Sequence, residues 1–208
     1  GFRPGFLPAQ AAARPLPGTE RAALPFWSPE GKWIGFFASG QLKKVEATGG
    51  LVTNLAPVFV GKGGAWSKQG DIVFSPRPNT PLYRVSDNGG KPVPVTELRK
   101  NEGENSHRHP QFLPGGRRFL FFARTDNADG SAFAGTIQIG DLDGKVRKLM
   151  PSESFGLFAS GKLLFVHGHE LLARPFDVAS MQFVGGPYTV ADDAGLIGPA
   201  NGGGIFTV

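Results

Sequence analysis

The chain has 208 residues, 40% of them hydrophobic and 11% aromatic, with a formal net charge of +5. So many aromatic residues exclude a disordered chain, and the absence of cysteine excludes disulfides and thiolate metal sites without fixing a redox compartment. The basic residues fall in scattered pairs (Lys43-Lys44, Arg99-Lys100, Arg117-Arg118, Arg147-Lys148), not in a cluster interleaved with aromatics, so the charge reads as a solvated mixed surface and no nucleic-acid partner is expected.

Residues 1–14 show no alternation and read as a tail or a degraded repeat; the ordered pattern occupies 15–208. The opening Gly1-Phe2-Arg3-Pro4-Gly5 lacks the basic-then-apolar order of a signal peptide. No apolar run approaches the roughly 18 residues needed to cross a bilayer, so no membrane span is expected in this chain. The first clear unit centres on Phe26-Trp27-Ser28-Pro29-Glu30-Gly31. Proline presets φ at the second turn position and glycine closes the turn, which predicts a hairpin between strands at 24–28 and 33–38. Strands at 41–46 and 51–55 follow, separated by Thr48-Gly49-Gly50. The same order predicts strands at 64–67, 71–75, 82–86 and 92–98, then at 110–113, 118–124, 136–141 and 145–150, then at 155–159, 162–167, 170–177 and 188–191. A fifth unit opens at Gly202-Gly203-Gly204-Ile205-Phe206.

The aromatic residue before each turn recurs at Trp27, Trp66, Phe112, Phe158 and Phe206, at intervals of 39, 46, 46 and 48 residues. Repeats of roughly 40–50 residues with four strands each predict an all-β chain, a β-propeller. It is read as partial: about four four-stranded blades plus a strand of a fifth. The second strands, such as Phe119-Leu120-Phe121-Phe122, are continuously apolar, as befits strands buried on both faces. Glycines before the first strands, as in Gly61-Lys62-Gly63-Gly64, suit crowding near the axis. The five periodic aromatics are expected to pack between blades, with ligand stacking as the lesser alternative.

The repeat resembles the TolB-type, WD-repeat-like propeller unit, and Phe26 to Leu55 matches it across all four strands. The phrases Leu16-Pro17-Gly18-Thr19-Glu20, Gly35-Phe36-Phe37-Ala38, Leu42-Lys43-Lys44-Val45 and Glu104-Asn105-Ser106-His107-Arg108-His109-Pro110-Gln111-Phe112-Leu113-Pro114 more narrowly resemble the C-terminal propeller of bacterial receptor-like serine/threonine kinases. That resemblance implies a sensor or protein-contact module lying outside the cytoplasm, extracytoplasmic or periplasmic, and no enzyme activity in this stretch. No glycine-rich nucleotide loop and no His-Arg-Asp loop occur, so no phosphoryl transfer is assigned. Propellers of this kind have about six or more blades, so the chain reads as a fragment of a longer product. Two alternatives stay open: a periplasmic TolB-like envelope scaffold, and the propeller of a prolyl-oligopeptidase-like hydrolase whose catalytic domain lies elsewhere.

No cofactor and no metal site are expected. The pairs His107/His109 and His167/His169 have the i, i+2 spacing that can put two imidazoles on one ion, but no carboxylate or cysteine is spaced to complete a site. Asp126-Asn127-Ala128-Asp129-Gly130 and Asp141-Leu142-Asp143-Gly144 lack the downstream glutamate of a calcium loop and read as turns. Ser106 and His107 with Glu102 and Glu104 invite a hydrolase reading, yet no nucleophile elbow accompanies them. The expected binding surface is one rim carrying Asn105, His107, Arg108, His109, Asn127, Asp129, His167 and His169, facing an unknown protein or peptide partner. Open blade edges predict self-association as well.

Overall fold

A computed structural model describes residues 15–126, 133–193, 196–197 and 203–204. Each of the first three expected units is one antiparallel sheet whose strands pair in chain order, and the fourth departs from this only in its outer strand. Blade 1 comprises β1 (Ala23–Trp27), β2 (Trp33–Ala38), β3 (Gln41–Glu46) and β4 (Thr53–Pro57). Blade 2 comprises β5 (Gly64–Trp66), β6 (Asp71–Phe74), β7 (Tyr83–Ser86) and β8 (Val93–Pro94). Blade 3 comprises β9 (Glu104–Phe112), β10 (Arg118–Asp126), β11 (Phe133–Asp141) and β12 (Val146–Ser152). Blade 4 comprises β13 (Leu157–Ala159), β14 (Lys162–His167) and β15 (Glu170–Asp177), with its outer strand broken into β16 (Gln182–Phe183) and β17 (Tyr188–Ala191), both paired to β15. Of the expected fifth unit the described part is β19 (Gly203–Gly204), paired with β18 (Leu196–Ile197); Phe206 and residues 1–14 lie outside the described residues. The architecture is that of a partial β-propeller.

The repeated turn works as its chemistry predicts. Ser28 Oγ accepts the Trp33 N–H at 3.0 Å, the Gly31 N–H bonds the Ser28 carbonyl at 2.9 Å, and Gly31 has φ +71°. Ser67 repeats this with the N–H groups of Gln69 and Asp71. The second strands β6 and β10 explain the apolar runs. Alternate residues face opposite neighbours: Ile72 and Phe74 pack into a core with Phe37, Leu42 and Leu55 of blade 1, while Val73 joins Phe119, Phe121 and Ala123 of blade 3. Leu120, Phe122 and Ile137 turn the other way, onto Leu163, Phe165 and Phe176 of blade 4. Each fully buried phenylalanine or leucine contributes about 1.5–3 kcal/mol. The inner strand β5 lies against both β1 and β9. The crowding there is real: a Cβ on Gly64 would meet the Phe26 ring at 2.5 Å, and one on Gly63 would meet the His109 backbone at 3.0 Å.

Two expectations change. Trp66, Phe112 and Phe158 do pack toward the preceding blade. Trp27 holds the same position but is 60% exposed, because no described sheet stands on that side of blade 1; its neighbour Phe26 joins the core instead. The inner strand of blade 3 begins at Glu104, six residues before the expected start at Pro110. Its pairing with β10 skips a residue between Arg108 and Gln111, where His109 has φ +50° and Pro110 has no N–H to leave unpaired. Proline marks a bulge here, not a strand end.

Candidate functional site

That longer strand decides the fate of the expected rim. His107 is 0% exposed and Arg108 2%, so neither is a surface group. Asn105 and His109 are half-buried, His167 and His169 are exposed, and Asn127 and Asp129 lie outside the described residues. Nor do the histidines converge. His107 stacks on Phe121 with ring centroids 4.7 Å apart, His109 rests on Phe155 at 4.5 Å, and His167 Nδ1 lies 3.3 Å from Glu153. Among the described residues no three His, Cys, Asp or Glu side chains gather as metal ligands. Asp141 Oδ1 accepts the N–H groups of Asp143 and Lys145, as a turn-forming aspartate does.

What the strand builds instead is a buried polar network between blades 2 and 3. His107 Nδ1 lies 2.8 Å from Thr96 Oγ1, and its Nε2 lies 3.1 Å from Glu104 Oε2. Thr96 Oγ1 also accepts the Leu82 N–H at 2.9 Å. Glu104, 4% exposed, accepts the Arg99 N–H at 2.8 Å and the Gln138 amide at 2.7 Å, while Gln138 Oε1 accepts from Arg99 Nη2 at 2.6 Å. Burial alone would raise the Glu104 pKa; the hydrogen bonds from His107, Arg99 and Gln138 and the His107 charge outweigh it and hold the carboxyl at about 2. Ser106 is not the partner of His107: its Oγ accepts from Arg108 Nε at 2.7 Å. Thr96 and Gln138 were missed from sequence, although a glutamine amid Thr136-Ile137-Gln138-Ile139 is the polar anomaly that could have flagged the second.

Around the axis, residues on and beside the inner strands set two further environments. Lys62 lies near Arg108 and Arg124, and burial followed by those two charges lowers its ammonium pKa. Arg108 also donates to the Pro78 carbonyl of blade 2. At the other mouth of the hub, Trp66, Phe112 and Phe158 line one pocket of about 390 Å3 with Pro29, Lys68 and Pro114. Gln111 braces its far wall, accepting the Phe158 N–H at 2.6 Å and donating to the Phe158 carbonyl at 3.1 Å. This pocket assembles three of the periodic aromatics from successive blades.

No family model matches the sequence, and no curated protein sequence matches it. Solved structures do. Regucalcin from Agrobacterium tumefaciens, a calcium-binding protein, aligns at a TM-score of 0.61 and 20% identity over 85% of this chain and 61% of its own. A luciferin-regenerating enzyme aligns at 0.63 and 10% identity over 81% and 60%. TolB from Acinetobacter baumannii aligns at 0.56 and 17% identity over 77% and 41%. The chain thus spans about three fifths of the first two proteins and two fifths of TolB. These similarities establish the propeller fold. They also overturn the expectation of no enzyme activity in this stretch as an inference from the fold, since a luciferin-regenerating enzyme has the same fold. The described blades are those of a β-propeller of the kind found in TolB and in enzymes.

Proposed function

We propose that the chain is the recognition module of a larger protein, holding an apolar or proline-bearing peptide segment of a partner at the mouth of its hub. The observation that carries this is the convergence of Trp66, Phe112 and Phe158 on one pocket, beside Pro29 and Pro114 and under Lys68. Aromatic faces and prolines favour extended apolar segments, and a lysine at the lip suits a nearby carboxylate. An extracytoplasmic sensor or scaffold role is supported by the resemblance of residues 104–114 to receptor-kinase propellers and by the fold shared with TolB. Peptides selected from a displayed library should bind at least about tenfold more weakly to Phe112→Ala and Lys68→Glu, the loss expected of one central contact, and equally well to Lys43→Ala. Failure to enrich any peptide, or binding indifferent to Phe112 and Lys68, removes the proposal.

One observation favours a second, hydrolytic reading. Thr96, His107 and Glu104 form a hydroxyl–imidazole–carboxylate line, and Thr96 borders a cleft of about 580 Å3 between blades 2 and 3. In such a line the hydroxyl oxygen attacks an ester carbonyl, its proton passes to Nδ1 and then to the leaving alcohol, and water cleaves the acyl-threonine. Turnover of p-nitrophenyl acetate should then survive Thr96→Ser and vanish in Thr96→Val; equal rates in both variants dismiss it.

A further inference from the structure

We infer that the cleft between the outer parts of blades 3 and 4 binds a phosphate-type dianion, at a site separate from the hub mouth. The cleft encloses about 440 Å3, and three cations line it: Arg118 at the start of β10, Lys145 before β12, and Arg147 within β12. One carboxylate, Asp141, lines it with them, and its Oδ1 is already engaged by two backbone N–H groups of its own turn. The walls therefore carry a surplus of two positive charges. Nearby basic groups are matched differently: Arg117 pairs with Asp143, and Lys148 with Glu102. Arg118 and Lys145 have no side-chain partner among the described residues.

Arg147 is held in place before any ligand arrives. Its Nη2 donates to the carbonyl of Met181, a buried residue of the facing blade with φ +56°. The guanidinium is thus fixed at the blade boundary with further N–H groups to offer, and a fixed fork loses little freedom on binding. A planar monocarboxylate would satisfy one fork and leave charge over. A phosphate group, with about two negative charges and three acceptor oxygens, matches two arginines and a lysine against one aspartate.

Titration calorimetry with inorganic phosphate, phosphoserine amide and acetate tests this at low and moderate salt. Phosphate should bind with about millimolar affinity or tighter and weaken with salt as partly exposed charges are screened. Arg118→Ala and Lys145→Ala should each weaken it at least about tenfold, the worth of one charge-assisted hydrogen bond, whereas Lys32→Ala on blade 1 should leave it unchanged. Tighter binding of phosphoserine amide than of phosphate would assign an organic phosphomonoester, and the reverse free phosphate; both support the site. No phosphate binding, acetate bound as tightly as phosphate, or equal weakening by all three variants overturns it. Loss of peptide capture at the hub mouth in Phe112→Ala would leave this result untouched, so the two readings fail separately.

Discussion

Replacing Glu104 by alanine is expected to destabilise the chain by about 3–5 kcal/mol, the cost of removing one member of a buried charged network. The carboxylate gathers three donors, from the Arg99 backbone, the His107 ring and the Gln138 amide, within a boundary that excludes water. Alanine leaves those donors facing an apolar gap, and each buried unpaired group costs about 1–3 kcal/mol. Domains of this size have only about 5–15 kcal/mol in total, so urea midpoints should fall sharply. The loss should also be shared with His107: a Glu104→Ala/His107→Ala double variant should cost little more than the first substitution alone, because both break the same network. A cost below about 1 kcal/mol for Glu104→Ala would mean that water reaches this boundary and that the network does not lock blade 2 to blade 3.

Acid should expose the same lock without mutation. The Glu104 carboxyl is held at about 2, below its ordinary value of 4.5. A depressed folded-state pKa gives stability that is fully present above the unfolded value and is lost as pH falls toward the folded one. Stability should therefore drop by roughly 3 kcal/mol between pH 4.5 and 2 on account of this group. Glu104→Gln should flatten that part of the profile, and the difference between the two curves across the window is the measurement. Parallel curves would show that other carboxylates carry the acid response.

The blade repeat was legible because its cause is local. Ser-Pro-Glu-Gly at 28–31 makes its own turn, and strands such as Trp33–Ala38, Gln41–Glu46 and Lys162–His167 fall where alternation and turn residues put them. The inner strand of blade 3 was illegible because its cause is not local. Asn105-Ser106-His107-Arg108 is polar enough to read as a rim loop, and only the partners supplied on folding make burial tolerable. Thr96 comes from the end of blade 2 and Gln138 from the third strand of blade 3, and neither announces that it meets His107 or Glu104. Pro110 compounded the misreading, since a proline that relieves a bulge looks in sequence like one that opens a strand. Chemistry was least legible of all: the hub-mouth pocket and the basic cleft are made by residues brought together from successive blades, so no stretch of chain spells either.

Among the glycines, Gly135→Ala should be the most damaging single substitution, at about 3 kcal/mol, the upper end of the usual range for overpacking. Gly135 lies in β11 beside β10, where a Cβ would stand 2.4 Å from Phe122 Cζ and 2.6 Å from the Ala123 carbonyl oxygen. Neither neighbour can yield. The Phe122 ring is 0% exposed between blades 3 and 4, and the carbonyl belongs to the strand backbone itself. Gly156→Ala meets side-chain ends instead, Leu163 Cδ1 at 2.8 Å and Ile137 Cδ1 at 2.9 Å, which can rotate away. Gly31→Ala meets nothing within 4 Å but must hold φ at +71°, a strain of about 1–2 kcal/mol. Urea denaturation should therefore rank Gly135→Ala above the other two. If Gly31→Ala proved worst, backbone conformation in the turns, and not the closeness of strands within a blade, would be what glycine protects here.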